Sequence, residues 1–316
     1  MRRFIILAGV ISAGALAWSR IRARGPVTPK PVTGIFSNGM AYARLGDGPK
    51  SLIVIPGGPG NQAPGGLTVR MLERQFRPYL EAGYSVWSVA RKRGMPKGHS
   101  MADIAADYAD LISDEFGGRV DLVVGISYGG MVNFYLAADH PDRFDHVDII
   151  VAGYAVGERG KDIDYEFARH LSEGRNGEAM ATMLRDLAPS WLGGTVAGPL
   201  GALAGRFAFG DTHPEFASDV LVEAEAEVAC DARDALPRIS VPVLLACGDR
   251  DVYFPKDVIE ETARLIPDCT LRMYEGQGHV RVAGGERVAA DVLDFVRRDP
   301  AATQEEPRPE PVLAGT

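Results

Sequence analysis

The run Val120-Asp121-Leu122-Val123-Val124-Gly125-Ile126-Ser127-Tyr128-Gly129-Gly130-Met131 decides how the rest of the chain reads. Val120 to Val124 is a short apolar run closed by Gly125, the mark of a buried strand, and Met131 to Ala138 continues as a helical pattern. Between them, Gly125-Ile126-Ser127-Tyr128-Gly129 matches Gly-x-Ser-x-Gly, in which a serine sits on a strained strand-to-helix turn and residues beside it must lack bulk. The following helix points its first N–H groups toward the serine, which favours negative charge developing there. Alone the pentapeptide is weak, because a chain with 37 glycines meets such a spacing by accident. A plain turn serine is the competing reading, and the strand–turn–helix context argues against it.

Outward from this run, short apolar stretches alternate with longer helical patterns, which predicts a mostly parallel sheet flanked by helices. Strands are expected at Ser51 to Ile55, Tyr84 to Ala90, Val120 to Gly125, His146 to Ala152, Val241 to Cys247 and Thr270 to Tyr274, with Met40 to Leu45 as a leading antiparallel strand. Helices are expected at Val69 to Leu80, Met101 to Phe116, Tyr128 to Ala138, Lys256 to Leu265 and Glu286 to Arg297. From about Val156 to Asp234 the sequence is helical and charged, with no convincing strand, which predicts a lid-like helical insertion over a cleft. The core is therefore expected over 34–155 and 235–298 and the cap over 156–234, with a Pro-rich linker at 25–33 and a solvated Pro- and Glu-rich tail at 299–316.

Composition narrows the function classes. A net charge of -8 argues against a nucleic-acid partner, which needs clustered Lys and Arg. Cys230, Cys247 and Cys269 show no Cys-x-x-Cys spacing and so indicate neither a zinc site nor a redox pair; a Cys230–Cys269 bridge is an option only in an exported protein. At residues 1–24, Arg2 and Arg3 precede an apolar run from Phe4 to Trp18, with Ala15-Leu16-Ala17 near its end and Arg20, Arg22 and Arg24 beyond it. This predicts a membrane-targeting segment, either a cleaved signal peptide or a retained anchor, and hence a periplasmic, extracellular or membrane-anchored protein of undecided sidedness.

A serine hydroxyl attacks well only when a base takes its proton and a third group orients that base. Of six histidines, only His213 and His279 follow Ser127 by enough sequence, and His213 falls in the insertion. His279 lies in Gly276-Gln277-Gly278-His279, a loop just past a strand, where sites of parallel sheets gather; a surface loop histidine is the alternative. The acid is expected in Gly248-Asp249-Arg250-Asp251, after the strand ending at Cys247. Asp251 is preferred, because Asp249 beside the strand end is better placed to pair with Arg250 or cap the turn. Donors for a developing oxyanion are expected from the backbone N–H of Tyr128 and of Gly58, the latter within Pro56-Gly57-Gly58-Pro59-Gly60. That loop lacks both the Gly-x-Gly-x-x-Gly and the P-loop signatures, so it does not read as a phosphate loop.

Together these pieces resemble the α/β-hydrolase superfamily over roughly residues 35 to 298, and Pro56 to Gly60 is similar to the His-Gly-Gly-Pro-Gly segment of proline iminopeptidase-like members. Two departures stand out: Pro56 replaces the usual histidine, and Ile126 with Tyr128 differs from the Gly-Gly-Ser-Trp-Gly elbow of those peptidases. The resemblance implies an α/β-hydrolase fold with an eight-stranded type of sheet and a helical cap. It also implies a serine hydrolase acting on a small ester or amide through an acyl-enzyme, of esterase or aminopeptidase type, without metal or organic cofactor. Alternatives within the superfamily are a non-catalytic ligand-binding homologue, a cofactor-free haloperoxidase-like enzyme and a C–C bond hydrolase. In the insertion, Trp191, Leu192, Phe207 and Phe209 are candidates for an apolar acyl pocket, with packing inside the cap the competing role.

Overall fold

The computed structural model describes residues 29–58, 66–187, 205 and 213–298. Within them, eight strands form one sheet in the order β1-β2-β4-β3-β5-β6-β7-β8. The strands are β1 (Val32–Ile35), β2 (Ala41–Leu45), β3 (Lys50–Ile55), β4 (Tyr84–Val89), β5 (Val120–Ile126), β6 (Phe144–Ile150), β7 (Val243–Gly248) and β8 (Cys269–Tyr274). β1 and β2 are antiparallel additions at one edge, and all pairings from β4 to β8 are parallel.

Alternation along each strand feeds two separate apolar layers. Ile53, Ile55, Val123, Val147, Ile149 and Leu245 face one layer, which packs on α3 (Met101–Glu115), α4 (Tyr128–Asp139) and α8 (Lys256–Leu265). Leu52, Val54, Leu122, Val124 and Leu244 face the other, with residues of α1 (Gly66–Gln75), α2 (Arg77–Glu81) and α10 (Glu286–Arg298). Burial on both faces is why these strands read as continuous apolar runs. Each such fully buried Val, Leu or Ile contributes about 1.5–3 kcal/mol.

Several boundaries differ from expectation, each for a local reason. The expected linker at 25–33 runs into β1, an edge strand held by its ladder to β2 rather than by burial, so no apolar alternation marks it. The strand expected at His146 to Ala152 ends at Ile150, because Val151 has φ 49° and leaves extended geometry. The strand expected from Val241 starts at Val243, after Pro242, whose nitrogen has no hydrogen to donate. The helix expected over Val69 to Leu80 divides at Phe76, with Pro78 opening the second piece. The three cysteines are free, so Cys230 and Cys269 do not form the bridge considered above.

Between β6 and β7 lie α5 (Glu158–Ser172), α6 (Asn176–Leu187) and α7 (Phe216–Ala229). They share a small apolar cluster of Phe167, Leu171, Ala179, Phe216 and Val220. Trp191, Leu192, Phe207 and Phe209, the tail from residue 299 and the apolar run of residues 4–18 lie outside the described residues. Among the described residues no helix is long and apolar enough to cross a membrane.

Asp164 on α5 and Glu227 on α7 are buried, each with one carboxyl oxygen lacking a partner among the described residues. Burial pushes Asp164 from 3.8 up to about 8, and burial together with Asp164 raises Glu227. The folded state therefore holds an extra proton between about pH 4 and 8, and stability is lost as pH rises through that window. Urea unfolding at pH 5 and pH 8 should show wild-type stability falling by up to about 1.4 kcal/mol per pH unit per extra proton. Asp164→Asn should flatten that slope; equal slopes in the two proteins would contradict the assignment.

Candidate active site

The carboxyl ends of the parallel strands converge on one rim. Ser127 follows β5 directly, Asp251 lies three residues beyond β7, and His279 opens the short helix α9 (His279–Ala283) after β8. Ser127 adopts φ 55° and ψ −115°, a strained conformation for a residue with a side chain, and its N–H donates to the Ile150 carbonyl at 2.8 Å. The glycines on either side are required by space. A Cβ on Gly125 would lie 2.3 Å from the Gly129 oxygen, and one on Gly129 would lie 2.1 Å from the Ile55 oxygen.

The turn aims the serine hydroxyl at the imidazole: His279 Nε2 and Ser127 Oγ are 2.9 Å apart. On the other side of the ring, His279 Nδ1 lies 2.8 Å from Asp251 Oδ2. The second Asp251 oxygen accepts the N–H groups of Tyr253 at 2.9 Å and Phe254 at 3.2 Å, so the buried carboxylate is held on both oxygens. The same two residues flank the imidazole, with ring centroids 4.9 Å (Tyr253) and 6.0 Å (Phe254) away. Sequence reasoning missed this double use of Tyr253 and Phe254. Its one trace in the sequence is a pair of adjacent aromatics two and three residues after the aspartate.

Asp249 points elsewhere. Its Oδ1 accepts the Gly276 N–H at 2.6 Å, which fastens the turn after β7 to the loop that leads to His279. His213 lies on the cap side, with ring nitrogens near Glu215 and Asp219.

The two expected donor residues both border the serine. Tyr128 heads α4, where the first N–H groups have no partner within the helix. A Cβ on Gly57 would lie 3.0 Å from Ser127 Cβ, which puts the loop after β3 against the nucleophile candidate, and Gly58 follows with φ +70°. Pro59 and Gly60 lie outside the described residues. Sequence reasoning also missed Arg91, two residues beyond β4. Its buried guanidinium donates to the Pro56 carbonyl at 3.0 Å and to the Gly58 carbonyl at 2.5 Å. No group of three or more His, Cys, Asp or Glu suited to a metal ion occurs among the described residues.

Comparison with known proteins bears on the family and the fold. Residues 52–293 match the model of the alpha/beta hydrolase family. A pimeloyl-acyl-carrier-protein methyl ester esterase from Neisseria meningitidis is 29% identical over 210 residues, spanning 61% of this chain and 75% of that protein. A hydrolase from Pseudomonas aeruginosa superposes with a TM-score of 0.64 at 20% identity, covering 85% of this chain and 99% of its own. A thermophilic esterase from Thermogutta terrifontis gives a TM-score of 0.63 at 20% identity, covering 85% and 98%. At those identities the solved structures speak to fold alone. The family match spans well over half the sequence and takes in the serine turn, both aspartates and the histidine, so this chain belongs to the alpha/beta hydrolase family.

Proposed function

We propose that the chain is a serine hydrolase that cleaves a small ester or amide through an acyl-enzyme, with Ser127 as nucleophile, His279 as general base and Asp251 as the group that orients the base. The observation that carries this reading is the unbroken line from Ser127 Oγ through the imidazole to the buried Asp251 carboxylate, with spacings of 2.9 and 2.8 Å. Asp251 accepts a hydrogen bond from the Nδ1–H group, which keeps the proton on Nδ1 and leaves Nε2 free to take the serine proton as Oγ attacks the carbonyl carbon. The resulting imidazolium then protonates the leaving group, and a water activated by the same ring releases the acyl group. The Gly58 and Tyr128 N–H groups are assigned to the oxyanion, where each such donor contributes about 3 kcal/mol to transition-state binding.

The name of the Neisseria relative supports an ester over an amide. On the sequence of residues 1–24, export or membrane anchoring is proposed alongside it. Wild-type protein is expected to react with a fluorophosphonate probe at Ser127 and to turn over p-nitrophenyl acetate or butyrate faster than aminoacyl p-nitroanilides. Absence of both labelling and turnover across such a panel would overturn the reading.

A further inference from the structure

Arg91 joins three parts of the molecule that the chain keeps far apart. Its Nε donates to Glu223 Oε1 at 2.5 Å and its Nη2 to Glu223 Oε2 at 3.3 Å, with both side chains buried. Glu223 belongs to α7 of the cap, whose buried face carries acids four residues apart at Asp219, Glu223 and Glu227. Asp219 accepts the N–H groups of Gly94 at 3.0 Å and Met95 at 2.9 Å, so the cap helix grips the segment after β4 at two points. From the same guanidinium, Nη1 reaches the Pro56 carbonyl and Nη2 the Gly58 carbonyl. Below it, the Tyr128 ring centroid lies 4.4 Å from the guanidinium carbon.

The pattern of bonds matters for the expected oxyanion donors. Pro56 and Gly58 supply the carbonyls of the two peptides that flank the Gly57–Gly58 peptide, whose N–H is the assigned donor. Two consecutive glycines leave that peptide free to rotate unless something fixes its neighbours. Arg91 fixes both, and it also packs on the side chain of Tyr128, the residue assigned the other donor. A planar fork with five N–H groups can serve two carbonyls and a carboxylate together; a lysine ammonium, a compact charge on a flexible stem, cannot hold that geometry.

We infer that Arg91 is a positioning residue for the reaction, clamping the loop after β3 from behind and tying that clamp to the cap through Glu223. This rests on the serine-hydrolase reading, and the test separates the two. In the full chain, Arg91→Met/Glu223→Leu removes the clamp and both charges of this buried pair together, an exchange that is commonly neutral or stabilising. Its melting temperature should hold, while kcat on p-nitrophenyl acetate falls by about 10- to 100-fold and KM stays within about three-fold. A trifluoromethyl ketone, whose tetrahedral adduct carries the oxyanion, should lose affinity by the same factor as kcat/KM. Arg91→Lys, which keeps a charge opposite Glu223, should show the same kcat-centred loss at smaller size, and it carries the test if the double variant does not fold. Unchanged kcat in a folded variant, or a loss confined to KM, would overturn the clamp. Failure of the wild type to label with fluorophosphonate would instead sink the reading on which it rests.

Discussion

Ser127→Ala is expected to lower kcat on p-nitrophenyl esters by roughly 10⁴- to 10⁶-fold and to abolish fluorophosphonate labelling, with almost no change in unfolding midpoint. The kinetic loss is large because the other parts have nothing to act on without the hydroxyl: the imidazole has no proton to accept, and no covalent bond to the acyl group can form. What remains is substrate binding and the donors around the carbonyl oxygen, which account for a residual rate above the uncatalysed one. Stability should barely respond. The Oγ–Nε2 hydrogen bond is partly solvent-exposed and contributes about 1 kcal/mol at most, and alanine meets the same positive φ that serine already tolerates. Initial rates under saturating ester together with a thermal melt decide the point. A variant retaining more than a tenth of wild-type turnover would remove Ser127 from the mechanism.

Much of the sheet was legible beforehand because the parallel strands are buried on both faces, and a stretch such as Leu52 to Ile55 has no polar residue to blur it. The serine turn was legible because its spatial requirement is close at hand: the contacts that exclude a Cβ at Gly125 and Gly129 lie within the turn, on Asn133 of the helix that follows it, or on the adjoining β3. Edge strand β1 was not, since its stability comes from a ladder to β2 that leaves no mark on its own residues. Nor was the end of β6, set by a single backbone rotation at Val151.

The acids of α7 mislead in a different way. Asp219, Glu223 and Glu227 at intervals of four resemble a solvated helix face, yet they form its buried face: Asp219 accepts main-chain N–H groups, Glu223 pairs with Arg91, and burial raises the Glu227 carboxyl. Arg91 itself contacts Pro56, 35 positions earlier, and Glu223, 132 positions later, and no local pattern encodes either distance. Among the described residues the cap therefore docks through polar contacts that the sequence hides as well as through Ile163 and Val222, which join the apolar layer on the sheet.

Asp251→Asn is expected to lower kcat by about 10⁴-fold, whereas Asp249→Asn should cost less than about ten-fold. Both aspartates follow β7 in the same short loop, and only geometry tells them apart. Asp251 Oδ1 accepts two main-chain N–H groups, from Tyr253 and Phe254, while Oδ2 meets His279 Nδ1. An asparagine here must keep its oxygen toward those two donors, which turns its NH₂ group toward the ring. That group donates, so Nδ1 becomes the acceptor and the ring proton moves to Nε2, the position that has to receive the serine proton. The fold survives and the base is in the wrong tautomer, which predicts normal KM with collapsed kcat. Asp249, by contrast, accepts from the Gly276 N–H, a bond that an asparagine oxygen also makes, so its variant should retain turnover and lose a little stability. Steady-state kinetics on the two variants side by side would decide between them. Comparable activity in both, or the larger loss at Asp249, would overturn the choice of orienting acid while leaving Ser127 and His279 to be judged on their own variants.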